Sequence, residues 1–392
     1  MRGAAPSHAG CLSTRDFSRI LLIKPSALGD VIHTIPVLTK LRARYPRAKI
    51  DWVLTPENAD LIRHHPALSD IVVFERRKLG RFGRRMDATT GGLQFLARLH
   101  QGHYDLVIDL HGQLRSAFFS LVTGASVRVG FDKPVAFART ISNQFMLKNR
   151  PERGWRGARE GSWLAYTHRI PIPTLDVHAI ERYLWVGKLL GFDPSPAETE
   201  IFLSPETETK IGGLLAAYGF EKFGVLVPGT KWETKHWPAE RFAEVGHALK
   251  KDRGLDIVVA GTKHDKARCS KVAQQCPGAI DLSGKTSPTD LAALIRRAEV
   301  CVTNDSASMH LAVALRRPVV SLFGPTNPVH IGPYGHPEFV IRLDHLACSP
   351  CNYRKLSQCS HEHICMNHIT SSIVIARIDR LLEEGKCHDP VG

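Results

Sequence analysis

No stretch of this 392-residue sequence approaches the roughly 18 to 20 consecutive apolar residues that a bilayer-spanning helix needs. The longest candidates, such as Ile20–Ile23 and Val319–Phe323, are strand-length and bounded by Pro, Gly or charge, which argues against a membrane-crossing helix. Met1–Ser18 lacks the apolar centre of a secretory signal and is expected to be a flexible tail or the product of a misplaced start codon. Nine cysteines, an odd number in a chain without an export signal, argue against a disulfide framework and for a reducing, cytoplasmic setting. No Gly-x-Gly-x-x-Gly occurs, which weakens a hydride-transfer reading. Gly278–Thr286 ends in Gly-Lys-Thr but has one residue too many between its glycines for an ATPase phosphate loop. No Asp-x-Asp occurs either, so nothing points to the divalent-metal clamp of many sugar-nucleotide enzymes. There is no recognised nucleic-acid-binding motif, and the aromatics are not arranged as an exposed stacking set. Acidic side chains are the scarce charge, 38 against 52 Lys and Arg, and the net +14 points to an anionic partner or substrate.

What is present is an alternation of short apolar runs with helix-period segments, the pattern of parallel sheets covered by helices. In the first half, strands are expected at Ile20–Ile23, Ile50–Leu54, Ile71–Phe74 and Leu106–Asp109, with a helix over Asp30–Arg44 ended by Tyr45-Pro46. In the second half they are expected at Gly224–Val227, Ile257–Ala260, Ala279–Leu282, Val300–Thr303 and Val319–Phe323. Each half reads as its own doubly wound α/β unit, and two such units would face a central cleft. A helix-like segment over Asp176–Leu190 precedes a Pro/Glu-rich linker, which puts the boundary near Pro194. The expected division is a tail over 1–18, a first domain over 19–194, a second over 195–345, and a Cys-rich segment with a C-terminal helix over 346–392.

Four segments carry candidate chemistry. In Lys24-Pro25-Ser26-Ala27-Leu28-Gly29-Asp30, Asp30 either caps a helix or presents a carboxylate to substrate, and one oxygen can do each. The loop Pro228–Pro238 places a Gly-Thr turn, Thr230, Lys231 and Lys235 after a strand, a set suited to phosphate oxygens, with a solvated lysine pair as the alternative. Trp232 and Trp237 within it read as packing residues. In Thr303–His310, Asp305, Ser306, Ala307, Ser308 and His310 stand where a buried strand gives way to a helix, so small residues admit a diphosphate to the helix N-terminus. His310 can equally be helix interior and Asp305 only a cap. Asp265, just past another strand, is a candidate for the ribose hydroxyls. Cys348, Cys351, Cys359 and Cys365, interleaved with histidines, form a weak zinc candidate because the spacing is irregular.

The runs KPSALGDVIHTIPVL, YDLVIDLHGQLRSA, PGTKWETKHWP and TNDSASMHLAVALRRPVVSLFGPTNP resemble, in order, the bacterial lipopolysaccharide heptosyltransferases of glycosyltransferase family 9. AREGSWLAYTHRIPIP followed by HAIERY is most similar to the type I members, which add the first heptose to Kdo on lipid A. The resemblance implies a GT-B fold, an ADP-heptose donor on the second domain, a Kdo-lipid A acceptor on the first, and metal-independent inversion without a cofactor. By the same carry-over Asp30 is the general base, Lys235 stabilises the diphosphate leaving group, Asp265 contacts ribose, and Asp305 to His310 form the donor loop. Arg76, Arg77, Lys78, Arg81, Arg115 and Arg159 are candidates for the acceptor's carboxylate and phosphates, with peripheral contact to the cytoplasmic face of the inner membrane and no nucleic-acid partner. Types II and III, or a transferase of another sugar, are the alternatives. The sequence departs from the family pattern in a basic insert, Asp132–Gly157, in Ser306-Ala307-Ser308 where Thr-Gly-Leu is common, and in Asp265 where Glu is commoner.

Overall fold

A computed structural model describes residues 12–80, 83–135 and 154–386, the side chains of Arg77 and Lys386 excepted. The chain forms two compact units, one reaching Phe202 and the other starting at Leu203. The division falls later than Pro194 because Ile201 is buried and Phe202 packs edge-on against His65, with ring centres 5.2 Å apart, in the first unit.

The first unit is a six-stranded parallel sheet in the order β3-β2-β1-β4-β5-β6. Its strands are β1 (Arg19–Ile23), β2 (Lys49–Leu54), β3 (Asp70–Val73), β4 (Leu106–Asp109), β5 (Val127–Phe131) and β6 (His168–Ile170). The second repeats the plan in the order β12-β11-β10-β7-β8-β9. It uses β7 (Phe223–Val227), β8 (Asp256–Val259), β9 (Ile280–Asp281), β10 (Val300–Asn304), β11 (Val319–Phe323) and β12 (Val340–Arg342). These are the two doubly wound Rossmann-like units of a GT-B fold. Strands covered on both faces must be apolar throughout, and Ile20 to Ile23, like Val319 and Val320, are fully buried. β5, β6 and β12 escape such a reading because each carries an Arg, and β5 is also interrupted by Gly130. A side chain at Gly130 would meet the Tyr166 ring at 2.4 Å, so only glycine fits.

In each sheet the strand order reverses beside the first strand, between β1 and β4 and between β7 and β10. Loops leaving those strands diverge to opposite faces and open a crevice within each unit, which places the Lys24–Asp30 and Pro228–Pro238 segments at the switch points. The single helix expected over Asp30–Arg44 is two, Leu28–Ile32 and Ile35–Arg44. Pro36 has no N–H for the Ile32 carbonyl, and the Thr34 N–H turns to the Val31 carbonyl at 3.0 Å while its hydroxyl donates to the Asp30 carbonyl at 2.8 Å.

The N-terminal segment departs from expectation. Residues 12–18 are not a free tail: Leu12 and Phe17 are buried, Phe17 lies edge-on to Tyr45 at 5.7 Å, and Arg44 donates to the Ser13 carbonyl at 2.9 Å. Residues 1–11 lie outside the described residues, as do 136–153 of the basic insert. The C-terminal helix, Ser371–Lys386, is expected from the family resemblance to pack on the first domain. Its apolar stripe Val374, Ile378 and Leu381 belongs to the core of the second unit, beside the helix Ala239–Arg253. Arg253 fastens it further by donating to Asp379 at 2.6 Å.

Ile378 is fully buried, so Ile378→Ala is expected to cost about 2–5 kcal/mol. Urea denaturation followed by hydrogen exchange should show the loss in the second unit, with protection of β1–β4 retained.

Candidate active site

Asp30 lies in the first turn of Leu28–Ile32 and divides its carboxylate between two tasks. The N-cap is Ala27 rather than Asp30, which as the third helical residue turns Oδ2 back to the Ala27 backbone N–H at 3.4 Å, while Oδ1 accepts from the Tyr183 hydroxyl at 2.7 Å and pairs with Lys24 Nζ at 3.7 Å. Lys24 is buried, donates to the Leu110 carbonyl at 3.2 Å and sits 4.7 Å above the Tyr183 ring. Burial pushes the Asp30 carboxyl up, but Lys24, the Tyr183 hydroxyl and Arg182 together outweigh it and hold the group below the ordinary aspartate value. Burial would likewise lower Lys24, yet Asp30 and Tyr183 leave it raised. The pair is therefore ionised at neutral pH, and the Asp30 side chain keeps 39% of its surface open to an incoming group.

The turn after β4 forms the other bank of this crevice. Asp109, fully buried, accepts from the N–H groups of His111 and Gly112 and from the Tyr166 hydroxyl at 2.8 Å. His111 is pushed down to about 4 by burial and by Lys24, so its imidazole is neutral, and its Nδ1 is buried without a partner among the described residues. Arg76 lies close enough to His111 to contribute to that shift. Arg115 follows in the next helix, 6.0 Å over Phe74. The Arg159 backbone N–H donates to the Gly112 carbonyl at 2.8 Å. Arg76, Arg115 and Arg159 thus gather around one turn, whereas Lys78 is paired with Glu75. The Arg77 side chain and Arg81 lie outside the described residues.

In the second unit, Lys235 and Asp305 are both buried and form an ion pair at 2.5 Å. The same Asp305 Oδ2 accepts from Thr326 at 2.5 Å, and the Asp305 carbonyl accepts from the Thr230 hydroxyl at 3.2 Å. Asp305 therefore binds together the loops after β7, β10 and β11. The cap of the helix Ala307–Ala314 is Ser306, whose hydroxyl accepts from the Ser308 N–H at 3.3 Å. Asp305 is thus a counter-ion rather than the cap. Ser308 and His310 are buried, Lys231 is exposed, and Lys235 Nζ lies 4.4 Å from the Trp232 ring centre. Asp265 accepts from the Thr262 N–H at 2.9 Å, and a side chain at Gly229 would meet its carboxyl carbon at 2.3 Å. Glycine there lets the loops after β7 and β8 touch.

The Cys-rich segment braces this region. The Thr234 hydroxyl donates to the Tyr353 carbonyl at 2.5 Å, the Leu356 N–H to Glu233 at 3.1 Å, and the Arg354 guanidinium lies 4.9 Å from the Trp232 ring centre. Trp237, fully buried, donates from Nε1 to the Ile369 carbonyl at 2.9 Å, which fits the packing role expected of it. Cys348, Cys351, Cys359 and Cys365 line a cavity of about 50 Å³. Among the described residues no three His, Cys, Asp or Glu side chains form a set that could hold a metal, so the zinc candidate finds no ligand geometry. Burial and the neighbouring thiols push Cys365 up to about 12, keeping it protonated.

Lys24, His111, Arg182, Tyr183 and Thr326 were not singled out from the sequence. All five sit inside the runs that carry the resemblance, but a sequence separation of 153 between Tyr183 and Asp30 hides the contact of those two.

A model of "Glycosyltransferase family 9 (heptosyltransferase)" matches residues 93–144 and 142–361. Lipopolysaccharide heptosyltransferase 1 of Pseudomonas aeruginosa is 28% identical over 85% of this chain and 86% of its own. Lipopolysaccharide heptosyltransferase 3 of Escherichia coli K12 is 28% identical over 78% and 82%. Among solved structures, an E. coli heptosyltransferase with ADP aligns over 93% of this chain and 99% of its own, with a TM-score of 0.69 and 25% identity. A family 9 glycosyl transferase from Veillonella parvula aligns over 94% and 98%, with a TM-score of 0.73 and 24% identity.

Tyr183→Phe removes a hydrogen bond that favours the charged form, so the Asp30 carboxyl should titrate at higher pH, as read by carboxyl-carbon NMR. A depressed carboxyl stabilises the fold above the unfolded aspartate value and loses that contribution as pH falls through the folded one. The variant should therefore be less stable by about 1 kcal/mol at neutral pH, the half-open site keeping the figure low, and the gap should close in acid.

Proposed function

Because the chain belongs to glycosyltransferase family 9, the heptosyltransferase family, and is therefore a glycosyltransferase, we propose that it moves L-glycero-D-manno-heptose from ADP-heptose to Kdo of Kdo-lipid A. The transfer would build the inner core of lipopolysaccharide at the cytoplasmic face of the inner membrane. The observation that carries the reading is the ionised, partly open Asp30 carboxylate, held by Lys24 and Tyr183 beside a cluster of arginines.

In this reading Asp30 accepts the proton of the acceptor hydroxyl as the oxygen attacks the anomeric carbon, and the configuration inverts in one displacement. Lys24 and the Tyr183 hydroxyl keep the carboxylate charged and aligned before the step, at some cost in basicity, and both contacts weaken once Asp30 carries the proton. Arg76, Arg115 and Arg159, around the His111–Gly112 turn, offer planar donors to the acceptor's carboxylate and phosphates. The donor diphosphate lies against Thr230, Lys231 and the N–H groups opening the helix Ala307–Ala314, with Asp265 on the ribose. Fixed donors and a helix N-terminus meet the charge that grows on the leaving ADP, so neither a metal nor a general acid is required. Lys235 takes a modified part. Paired with Asp305 and buried, it fixes the donor loops in place, its charge met by that carboxylate rather than held out as a free cation. Relatives of both type 1 and type 3 make an already heptosylated core the alternative acceptor.

The test is transfer from ADP-heptose by the purified protein to Kdo-lipid A and, separately, to its heptosylated form. Asp30→Asn should lower the rate by about 10²- to 10⁴-fold while ADP binding persists. Lys231→Ala should weaken the donor about tenfold with the chemistry little changed. Transfer only to the heptosylated acceptor would reassign the substrate, and an active Asp30→Asn enzyme would remove Asp30 as the base.

A further inference from the structure

The first unit carries an apolar surface that neither its core nor its crevice uses. On the helix Leu114–Val122, Ser116, Ala117, Phe119 and Ser120 face inward, while Leu114, Phe118 and Leu121 are 58%, 49% and 50% exposed. Their spacing of four and three residues puts all three on one stripe. Leu164, 75% exposed, adds to it from the 3₁₀ turn Ser162–Ala165, which packs against this helix. On the other side lies the helix Met86–Gln101, joined to the first through Phe95 and Phe119, whose ring centres are 5.0 Å apart. It points Met86 and Leu93, seven residues apart and 88% and 56% exposed, away from the core. Single exposed apolar residues are ordinary; six on three adjoining elements are a patch that needs an occupant.

The charge around the patch identifies the occupant's chemistry. Arg76, Arg84, Arg115 and Arg159 are exposed on the same or adjoining segments and form no salt bridge among the described residues. Lys78, Arg85 and Arg98 are paired with Glu75, Asp87 and Asp70, and Glu160 is the remaining nearby acid. The surplus is positive. Apolar side chains rimmed by unpaired guanidinium groups fit an interface that is hydrocarbon below and anionic above. The stripe also begins at the crevice, since Leu114 follows directly on the His111–Gln113 turn. An acceptor carried on acyl chains would then have its sugar at Asp30 while its lipid stays in the membrane.

We infer that this face, built on Leu114, Phe118, Leu121 and Leu164 and rimmed by arginines, docks the first unit on an anionic lipid bilayer. The inference deepens the proposed function and rests on it for the nature of the acceptor. The docking itself can be tested without that reading. Purified protein is floated with vesicles of phosphatidylethanolamine and phosphatidylglycerol, and with vesicles of phosphatidylcholine alone. Wild type should float with the first and hardly with the second, and high salt should weaken it. The triple variant Phe118→Ser/Leu121→Ser/Leu164→Ser, all at exposed positions and so expected to fold, should lose on the order of tenfold in vesicle affinity. It should keep the wild-type rate on a deacylated, water-soluble acceptor. Undiminished flotation of the triple variant overturns the inference. So does a wild type that ignores anionic vesicles and is a dimer by light scattering which the triple variant dissolves, since the patch then joins two copies. A wild type that floats but transfers no heptose to any acceptor defeats the proposed function and leaves the docking face standing.

Discussion

A lysine buried beyond the first strand of each unit has to meet a carboxylate, because an unpaired ammonium in such a place would cost several kcal/mol. Lys24 meets Asp30 and Lys235 meets Asp305. Each pairing also draws the switch-point loops together. Lys24 reaches the Leu110 carbonyl after β4, and Asp305 gathers Thr230 and Thr326 from the loops after β7 and β11. The two pairs differ in one respect that sets their use. Asp30 keeps an open side and remains able to react, whereas Asp305 is closed in and can only hold.

Much of this was legible in the residues. Central strands are covered on both faces, so β1, β4, β7, β8, β10 and β11 appear as apolar runs, while β2 is legible despite the buried Asp51, which accepts from the Tyr104 hydroxyl. Edge strands such as β6 and β12 are short and tolerate Arg, which erases the signal. The helix start near Asp30 is legible because Gly29 and a following acid are local signals, although the N-cap is Ala27, three residues earlier than Asp30. The control of Asp30 by Tyr183 is not, because a hydrogen bond across 153 residues leaves no trace in spacing. The same limit hides the ion pair of Lys235, whose place in a Lys-rich loop gives no sign of a partner 70 residues on. Leu12 and Phe17 were overlooked within a polar tail, although two anchors suffice to seat seven residues.

The apolar stripe on Leu114–Val122 was hidden for a different reason. A helix with Leu114, Phe118 and Leu121 on one side and Ala117 and Phe119 on the other is apolar nearly all round, and such a pattern reads simply as buried. Only the exposure of one side, together with the arginines beside it, separates a surface meant for lipid from one meant for the core.

The brace on the Trp232–Trp237 loop has a consequence for how the protein is made. Its fastenings, Tyr353, Leu356 and Ile369, come more than a hundred residues after the loop they hold. The first unit is complete once Phe202 has left the ribosome and can fold there, as domains generally do in order of synthesis. The second unit has no such head start. Its β7 loop emerges early and stays unfastened until Ile369 has been translated, so a product cut short before that point would keep a sound first unit joined to a second that cannot set its own loop.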